Sequence, residues 1–473
     1  MKKSRRKFLV GSVLTAGAAA IPGVRHAKWN SQSFEREGYL LQGFESGSQK
    51  NLWLNWSGLH KSTPKRIVEP EDEAELQQLL KESVGPIRPL GSGHSFSPLV
   101  PSEGTIIKLN RFNGLKSFDA KNQIATFGAG TNLMQAAREL NGAGLAFPNL
   151  PDVDVQTLAG SFSTATHGTG RELTALHDYI SGFKLITAEG EVLSVNSTSH
   201  PDLFSAGKVS LGALGILVEY SLKLVPAFSL RRRVWLQPID ELLEESENLS
   251  RKYRNFEFYY FPGTGYAAGI THEIFSGPVA GRDPGEDEEM LESLRQLRDV
   301  FGWSPWLRRR LFKQSAPIGL VEDSTDESWR LLSTHRPTRF NEIEYELPAD
   351  KGIEVIREVI RILDSRKEVF FPIEARYIAK DDAWLSPFND GNRFAISVHA
   401  AVNESFDYFY EILEPLFRNA GGRPHWGKLH SLRYNELSKE YPMLNQFADL
   451  QKELDPQGKL LNPHLSQILG LSK

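Results

Sequence analysis

Apolar residues recur along this chain with two textures, and the change between them marks its organisation. Up to about residue 225 the elements are short and broken by glycine. Leu76, Leu79 and Leu80 share one face of a segment that Pro70 opens, with acids in its first turn, and predict a helix over 71–83. Ile87–Leu90, 105–109 and 123–127 read as strands. A helix follows over 133–140 and stops at Gly142; 184–195 reads as a hairpin about Glu189-Gly190, and 217–224 as a strand closed by Pro226. After about residue 230 longer amphipathic helices and alternating strands take over, and the acid-rich 283–292 reads as a surface loop entering a helix. In 369–378 the strand period puts Glu374 and Arg376 on one face, with Ile373, Ala375 and Tyr377 on the other. The stretch 394–402 alternates too, with Phe394, Ile396, Val398, Ala400 and Val402 one way and Ser397, His399 and Ala401 the other.

At 473 residues the chain exceeds what one hydrophobic core serves, so two or more domains are expected. Its 40% hydrophobic and 24% charged residues are those of a folded soluble protein. A formal charge of −4, with no dense basic stripe, leaves no footprint for nucleic acid. The runs Arg231-Arg232-Arg233 and Arg308-Arg309-Arg310 are short and isolated and read as solvated surface. Cysteine is absent, which excludes disulfides, thiolate metal ligands, a cysteine nucleophile and a group attached through sulfur. The 12 histidines lack HxH or HExxH spacing, so no metal is expected.

The first residues form a basic segment, Met1 to Lys7 with paired Arg5 and Arg6, and then an apolar run over 10–21 with Ala18-Ala19-Ala20, or later Ala27, as a cleavage point. The run is shorter than the roughly 18 residues of a spanning helix. It resembles a twin-arginine export signal, an address rather than an anchor, which implies the twin-arginine machinery as a partner and a periplasmic or secreted destination. Loss of 1–27 removes six cations and no acid, so the remaining body carries −10. That route carries folded proteins, often with a cofactor already inserted.

Four clusters carry the chemistry. Gly91-Ser92-Gly93-His94-Ser95 is a tight turn whose glycines leave backbone N–H groups uncovered. It fits neither GxGxxG, since residue 96 is Phe, nor a P-loop, nor a GxSxG elbow. Gly128-Ala129-Gly130 ends a predicted strand. The segment 156–170, QTLAGSFSTATHGTG, is rich in small and hydroxyl residues and nearly free of charge, as suits a wall against a flat polar-edged heterocycle. His425-Trp426-Gly427-Lys428 comes last.

In this order the clusters resemble the vanillyl-alcohol-oxidase type of FAD-linked oxidases, and within it the aldonolactone and alditol oxidase branch, whose C-terminal signature is HWxK. The resemblance covers about 60–470. It implies an α+β fold: a PCMH-type FAD-binding domain of two subdomains over 28–230, an antiparallel-sheet cap over 231–410, and a segment, 411–473, returning to the flavin. It implies FAD, covalently held by His94. The expected cofactor contacts are Pro89, Leu90 and the Gly91–Ser95 turn, then Gly128, Gly160, Ser161, Thr164, Thr166 and Gly168. Gly215, Ile216, His425 and Asn462 complete them. Ser161 is the first hydroxyl expected near the isoalloxazine and Ser163 the second, while His425 and Trp426 pack the site. On the substrate side Arg376 and Lys428 would stabilise developing charge, Glu374 would orient Arg376 and accept a substrate hydrogen bond, and His399 would orient substrate or assist proton removal. Alditol oxidases tend to have a hydroxyl residue two positions after that histidine. Ala401 stands there, which favours a lactone over an open-chain polyol. The expectation is therefore an exported oxidoreductase acting on the CH–OH group of a small carbohydrate, with O2 as acceptor. A dehydrogenase using a cytochrome or quinone, and a carbohydrate-binding protein with vestigial flavin, stay open.

Overall fold

The computed structural model describes residues 51–282, 287–334 and 336–471, together with 29, 31, 32, 34 and 36. The expected export signal, 1–27, lies outside them. Three sheets carry most of the chain. The first is parallel, with β1 (Arg66–Val68), β2 (Ile87–Leu90) and β3 (Thr105–Lys108) in the order β1-β3-β2. Helix Glu73–Glu82 connects β1 to β2 and buries Leu76 and Leu80 against Ile87 and Ile107. It begins two residues later than the pattern predicts, because the Asp72 carboxylate accepts the Glu75 N–H at 2.9 Å and caps it there.

The second sheet is antiparallel and holds β4 (Leu115–Asp119), β5 (Ile124–Gly128), β6 (Ile180–Ile186), β7 (Val192–Asn196) and β8 (Ile216–Lys223), ordered β7-β6-β8-β5-β4. The predicted hairpin is the β6–β7 pair, with Gly190 at φ +80° in its turn. Helix Leu133–Gly142 packs Leu133, Ala136, Ala137 and Leu140 inward.

The third and largest sheet is antiparallel. It contains β9 (Ser229–Pro238), β10 (Asn255–Phe261), β11 (Tyr266–Phe275), β12 (Gly319–Glu327), β13 (Phe340–Pro348), β14 (Ile373–Ile378), β15 (Arg393–Ala401) and β16 (Arg423–Pro424), ordered β12-β9-β11-β10-β14-β15-β13-β16. Two helices cover the face that carries Tyr377 and Phe394. Ser246 of helix Ile239–Lys252 hydrogen-bonds the Tyr377 hydroxyl at 2.9 Å, and helix Gly352–Ser365 lies so close that a Cβ on Gly352 would be 2.3 Å from the Phe394 ring. The face bearing Glu374, Arg376 and His399 is thereby left for a site. The expected surface loop 283–292 is already helical from residue 287, in helix Asp287–Phe301. Among the described residues no helix is long and apolar enough to cross a membrane.

Two arginines read as solvated are buried. Arg232 on β9 pairs with Glu322 of β12, and Arg308 donates to the carbonyls of Pro262 and Val369. Burial pulls the Arg308 pKa down to about 10, with the two carbonyls in place of water, while the exposed Arg309 pairs with Asp364 at 2.6 Å. A linear run of like charges cannot show such partners.

Gly128 and Gly130 serve close packing. A Cβ on Gly128 would sit 2.3 Å from the Phe112 carbonyl oxygen, and one on Gly130 2.0 Å from that of Leu109. Gly128→Ala should therefore cost about 1–3 kcal/mol of stability, as overpacking does, with flavin content per folded molecule unchanged. Thermal denaturation and absorbance of the purified variant check this, and an unaltered midpoint would show that the close approach is not required.

Candidate active site

A cavity of about 1470 Å³ lies between the glycine-rich loops and the open face of the large sheet. That exceeds the roughly 300–1,000 Å³ of a site for one drug-sized ligand, leaving room for an extended cofactor and a substrate together. Pro89 and Leu90 at the end of β2, and every residue of the Gly91–Ser95 turn, line it. The preceding residue anchors the loop from beneath. Arg88, 1% exposed, donates to the carbonyls of Leu99, Gly212 and Leu211 at 2.7 Å each, and to that of Leu460. Burial draws its pKa to about 9. Above it the turn is held by the Trp56 N–H on the Gly93 carbonyl (2.7 Å) and the Asn55 amide on the Ser95 carbonyl (3.0 Å). Gly91 packs against Thr157, whose Oγ1 would be 2.4 Å from an added Cβ. His94 stacks on Trp56 with centroids 4.9 Å apart. Burial, with Lys428 and Arg339 nearby, lowers its pKa to about 4, so the imidazole is neutral at ordinary pH.

The second loop folds in part as helix Leu158–Ser163, and helical spacing decides which of its residues reach the cavity. Gly160, Ser163, Thr164 and Thr166 do, as do Gly215 and His425. Ser161 does not. It is fully buried, and its hydroxyl donates to the Leu158 carbonyl at 3.1 Å inside its own helix. Four other expected contacts also lie elsewhere. Gly128 packs as described, and Gly168 lets the chain approach the Leu150 carbonyl, 2.3 Å from where its Cβ would be. Ile216 sits in the core with Ile186 and Val218. Asn462 caps helix Pro463–Leu469 and donates to the carbonyls of Pro98, Leu99 and Pro101 at 2.9, 3.2 and 3.0 Å, bracing the loop at second hand.

All four expected substrate-side residues, Glu374, Arg376, His399 and Lys428, line the same cavity. Arg376 on β14 pairs with Glu374, two residues back, and with Glu257, opposite it on β10, at 3.0 Å. Tyr259 of β10 donates its hydroxyl to Glu374. Burial, together with Glu257 and Asp152, outweighs Arg376 and raises Glu374 to about 7, since one guanidinium is shared among several carboxylates. His399 holds the Pro372 carbonyl at 2.9 Å and faces Glu342 at 3.5 Å. Burial alone would lower its pKa, but Glu342 and Glu374 raise it.

The acids around Lys428 were not anticipated. Glu342, Glu344 and Glu346 alternate along β13 and are each 3% exposed or less. Lys428 Nζ pairs with Glu342 and lies 3.4 Å from Glu344; against the cost of burial, the two carboxylates raise its pKa. His167 bridges Glu344 (2.8 Å) and Glu346 (3.4 Å), and despite burial those acids lift it to about 10. His425 is neutral, lowered by burial to about 3, and its Nδ1 accepts the Gly427 N–H at 3.0 Å. The cluster brings metal-capable atoms of His167, Glu344 and His425 within 4.8 Å, a grouping that linear spacing does not reveal. Here the His167 Nε2 is committed to its ion pairs. The one available signal in the sequence was the alternation Glu-Ile-Glu-Tyr-Glu-Leu over 342–347, which by itself describes a strand with a wet face.

Bare backbone at a glycine turn, a second small-residue wall and a cavity of this size fit FAD. The comparisons with known proteins agree. A family model for an FAD binding domain matches residues 64–196, and one for D-arabinono-1,4-lactone oxidase matches residues 220–468. The chain is 31% identical to an L-gulono-1,4-lactone dehydrogenase of Mycobacterium tuberculosis over 438 residues, covering 89% of this chain and 99% of that protein. It is 26% identical to the L-gulonolactone oxidase of Scyliorhinus torazame, with 89% and 99% covered, and 26% to an alditol oxidase of a Streptomyces species, with 88% and 98% covered. In fold it resembles cholesterol oxidase from B. sterolicum, with a TM-score of 0.72 at 15% identity over 89% of this chain and 96% of the other. The α+β architecture with a PCMH-type FAD-binding fold follows. With its FAD loops and its ionic sheet face opening on one cavity, this chain belongs to the D-arabinono-1,4-lactone oxidase family of FAD-dependent oxidoreductases.

Proposed function

We propose that the chain is an exported enzyme that oxidises a CH–OH group of an aldonolactone and passes the electrons to O2. One observation carries the reading: a single cavity joins the turn bearing His94 to Glu374, Arg376, His399 and Lys428. FAD bound there supplies a hydride acceptor. The chain's own groups do the rest. Arg376 and Lys428, both kept charged by buried acids, orient the hydroxyl and stabilise negative charge as it develops. Glu374, when ionised, accepts the hydroxyl hydrogen bond, and His399 positions the ring. Phe96 and Phe340, stacked 5.7 Å apart beside Trp56, help keep water away. His94, neutral and at the loop tip, is proposed as the covalent tether of the flavin. Export rests on the paired arginines and apolar run at the N-terminus. A second reading, a dehydrogenase with another acceptor, is favoured by the 31% identical relative, which bears that name.

Purified protein should show a flavin spectrum that stays with the chain on denaturation and bleaches anaerobically with L-gulono-1,4-lactone or D-arabinono-1,4-lactone. No bleaching with any lactone or alditol would refute the proposal. Rapid recovery in air identifies the oxidase and sluggish recovery the second reading, while flavin released on denaturation removes the bond at His94.

Arg376→Lys keeps the charge but loses the planar fork that meets Glu374 and Glu257. Its kcat/KM should fall about 10²–10³-fold, with flavin content retained; activity within threefold of wild type would remove Arg376 from the reaction.

The Glu374 pKa of about 7 sets a pH dependence. kcat/KM should rise as pH increases through about 7, and Glu374→Gln should lack that limb and be slower throughout. Because folding raises this pKa from 4.5 to about 7, the contribution to stability is complete below 4.5 and lost as pH rises to about 7. Denaturation at pH 5 and pH 8 should therefore show wild type losing stability relative to Glu374→Gln; parallel behaviour would contradict the shift.

A further inference from the structure

The register of the large sheet sets two adjacent rows across the middle of its cavity face. Leu236, Ala268, Tyr259, Glu374, Ser397 and Glu344 form one row, pairing across β9, β11, β10, β14, β15 and β13. Val234, Ile270, Glu257, Arg376, Ala395 and Glu346 form the next over the same strands. Both rows are apolar on β9 and β11 and turn polar at β10. Helices Asp287–Phe301 and Pro305–Ser315 face the apolar half, where Leu294 and Phe312 form one buried cluster with Leu236 and Phe261. Leu236, Ala268, Ile270, Leu294 and Phe312 line the same cavity as Glu374 and Arg376. The cavity therefore has a polar end at the reacting groups and a mainly apolar chamber beside it, whose lining also includes the ion-paired Arg232 and Glu322.

We propose that this chamber receives an uncharged hydrocarbon substituent of the substrate, so that an O-acyl or O-alkyl aldonolactone is oxidised in preference to the free sugar lactone. This rests on the carbinol oxidation proposed above and narrows its substrate class. A free aldonolactone carries a hydroxyl on every carbon outside its ester linkage. Any hydroxyl set against Leu236, Ala268 and Leu294 gives up water for no partner, which is unfavourable. A methylene there gains what the hydroxyl loses. Ala401 packs against the same cluster. Of the acids near the start of the covering helix, Glu288 accepts from the Thr338 hydroxyl and Glu292 pairs with Arg295 at 2.8 Å. Those two leave nothing for a cationic tail, and the cavity's Arg232 and Arg336, paired with Glu322 and Asp152, leave nothing for an anionic one.

The test compares L-gulono-1,4-lactone with its esters bearing acyl chains of two to ten carbons on the primary hydroxyl, by anaerobic flavin reduction in the purified holoenzyme. The half-saturating concentration should fall about three- to fourfold per methylene until the chamber is full, with the limiting rate constant little changed. Filling the chamber by Ala316→Trp, or by Met290→Trp if the first variant fails to fold, should abolish the dependence on length. A flat series in wild type, or a gain that persists in the filled variant, would overturn the proposal. Thermal midpoints with each ester provide a readout free of turnover. If nothing reduces the flavin, the oxidation reading fails by itself; midpoints that still climb with chain length uphold the chamber, and level midpoints overturn it as well.

Discussion

A buried ammonium stays charged only if carboxylates are buried with it. Lys428 meets that condition through Glu342 and Glu344, and much of the site is built around the same two residues. Their side chains hold the lysine, while their backbone carbonyls accept the N–H groups of Leu429 (2.9 Å) and His425 (3.1 Å), fixing the ends of the His425–Lys428 turn. Glu342 also stands opposite His399 in the pairing of β13 with β15, so a slip of one residue would turn the whole acidic set into the helix-covered face. The ion pair and the strand register specify each other.

Arg376 is balanced differently, and the difference divides the labour. Glu342 and Glu344 are drawn below the usual carboxylate range by Lys428 against the cost of burial, and stay ionised. Glu374 shares one guanidinium with Glu257 and Asp152 and keeps its proton to about pH 7. Carboxylates on two strands of one sheet, β13 and β14 with β15 between them, are thus set for unlike tasks by their surroundings, those of β13 as permanent counter-ions and Glu374 as a titrating group near the reacting carbon.

The strands, the β6–β7 hairpin and the facing of Glu374, Arg376 and His399 were legible in the sequence because each rests on local periodicity and turn chemistry. The turn bearing His94 took on meaning only beside the 156–170 segment and His425-Trp426-Gly427-Lys428, because GSGHS by itself fits no nucleotide-binding pattern. What local pattern could not supply was the direction of a side chain inside an unexpected helix, hence Ser161 in place of Ser163, or a glycine's neighbour, hence Gly128 and Gly168. The alternating glutamates of β13 looked like a wet face because their partners lie elsewhere in the chain, at residues 167, 399 and 428. Arg232 and Arg308 misled for the same reason.

The apolar chamber was the least legible feature, and the reason is physical. Residues that line a cavity and residues that fill a core share one period and one composition, so Leu294 and Phe312 carry no mark of which they do. Only the pairing across strands shows the sheet changing from apolar to polar between β11 and β10, with Tyr259 at the step, its ring toward one side and its hydroxyl on Glu374. A substrate with a head and a tail fits such a surface in one sense only, because reversal buries hydroxyls against Leu236 and hydrocarbon against Arg376. Which carbon faces the flavin would then be decided by amphipathicity, with few hydrogen bonds needed. That accounts for a site so rich in ion pairs having most of its polar atoms already engaged with one another.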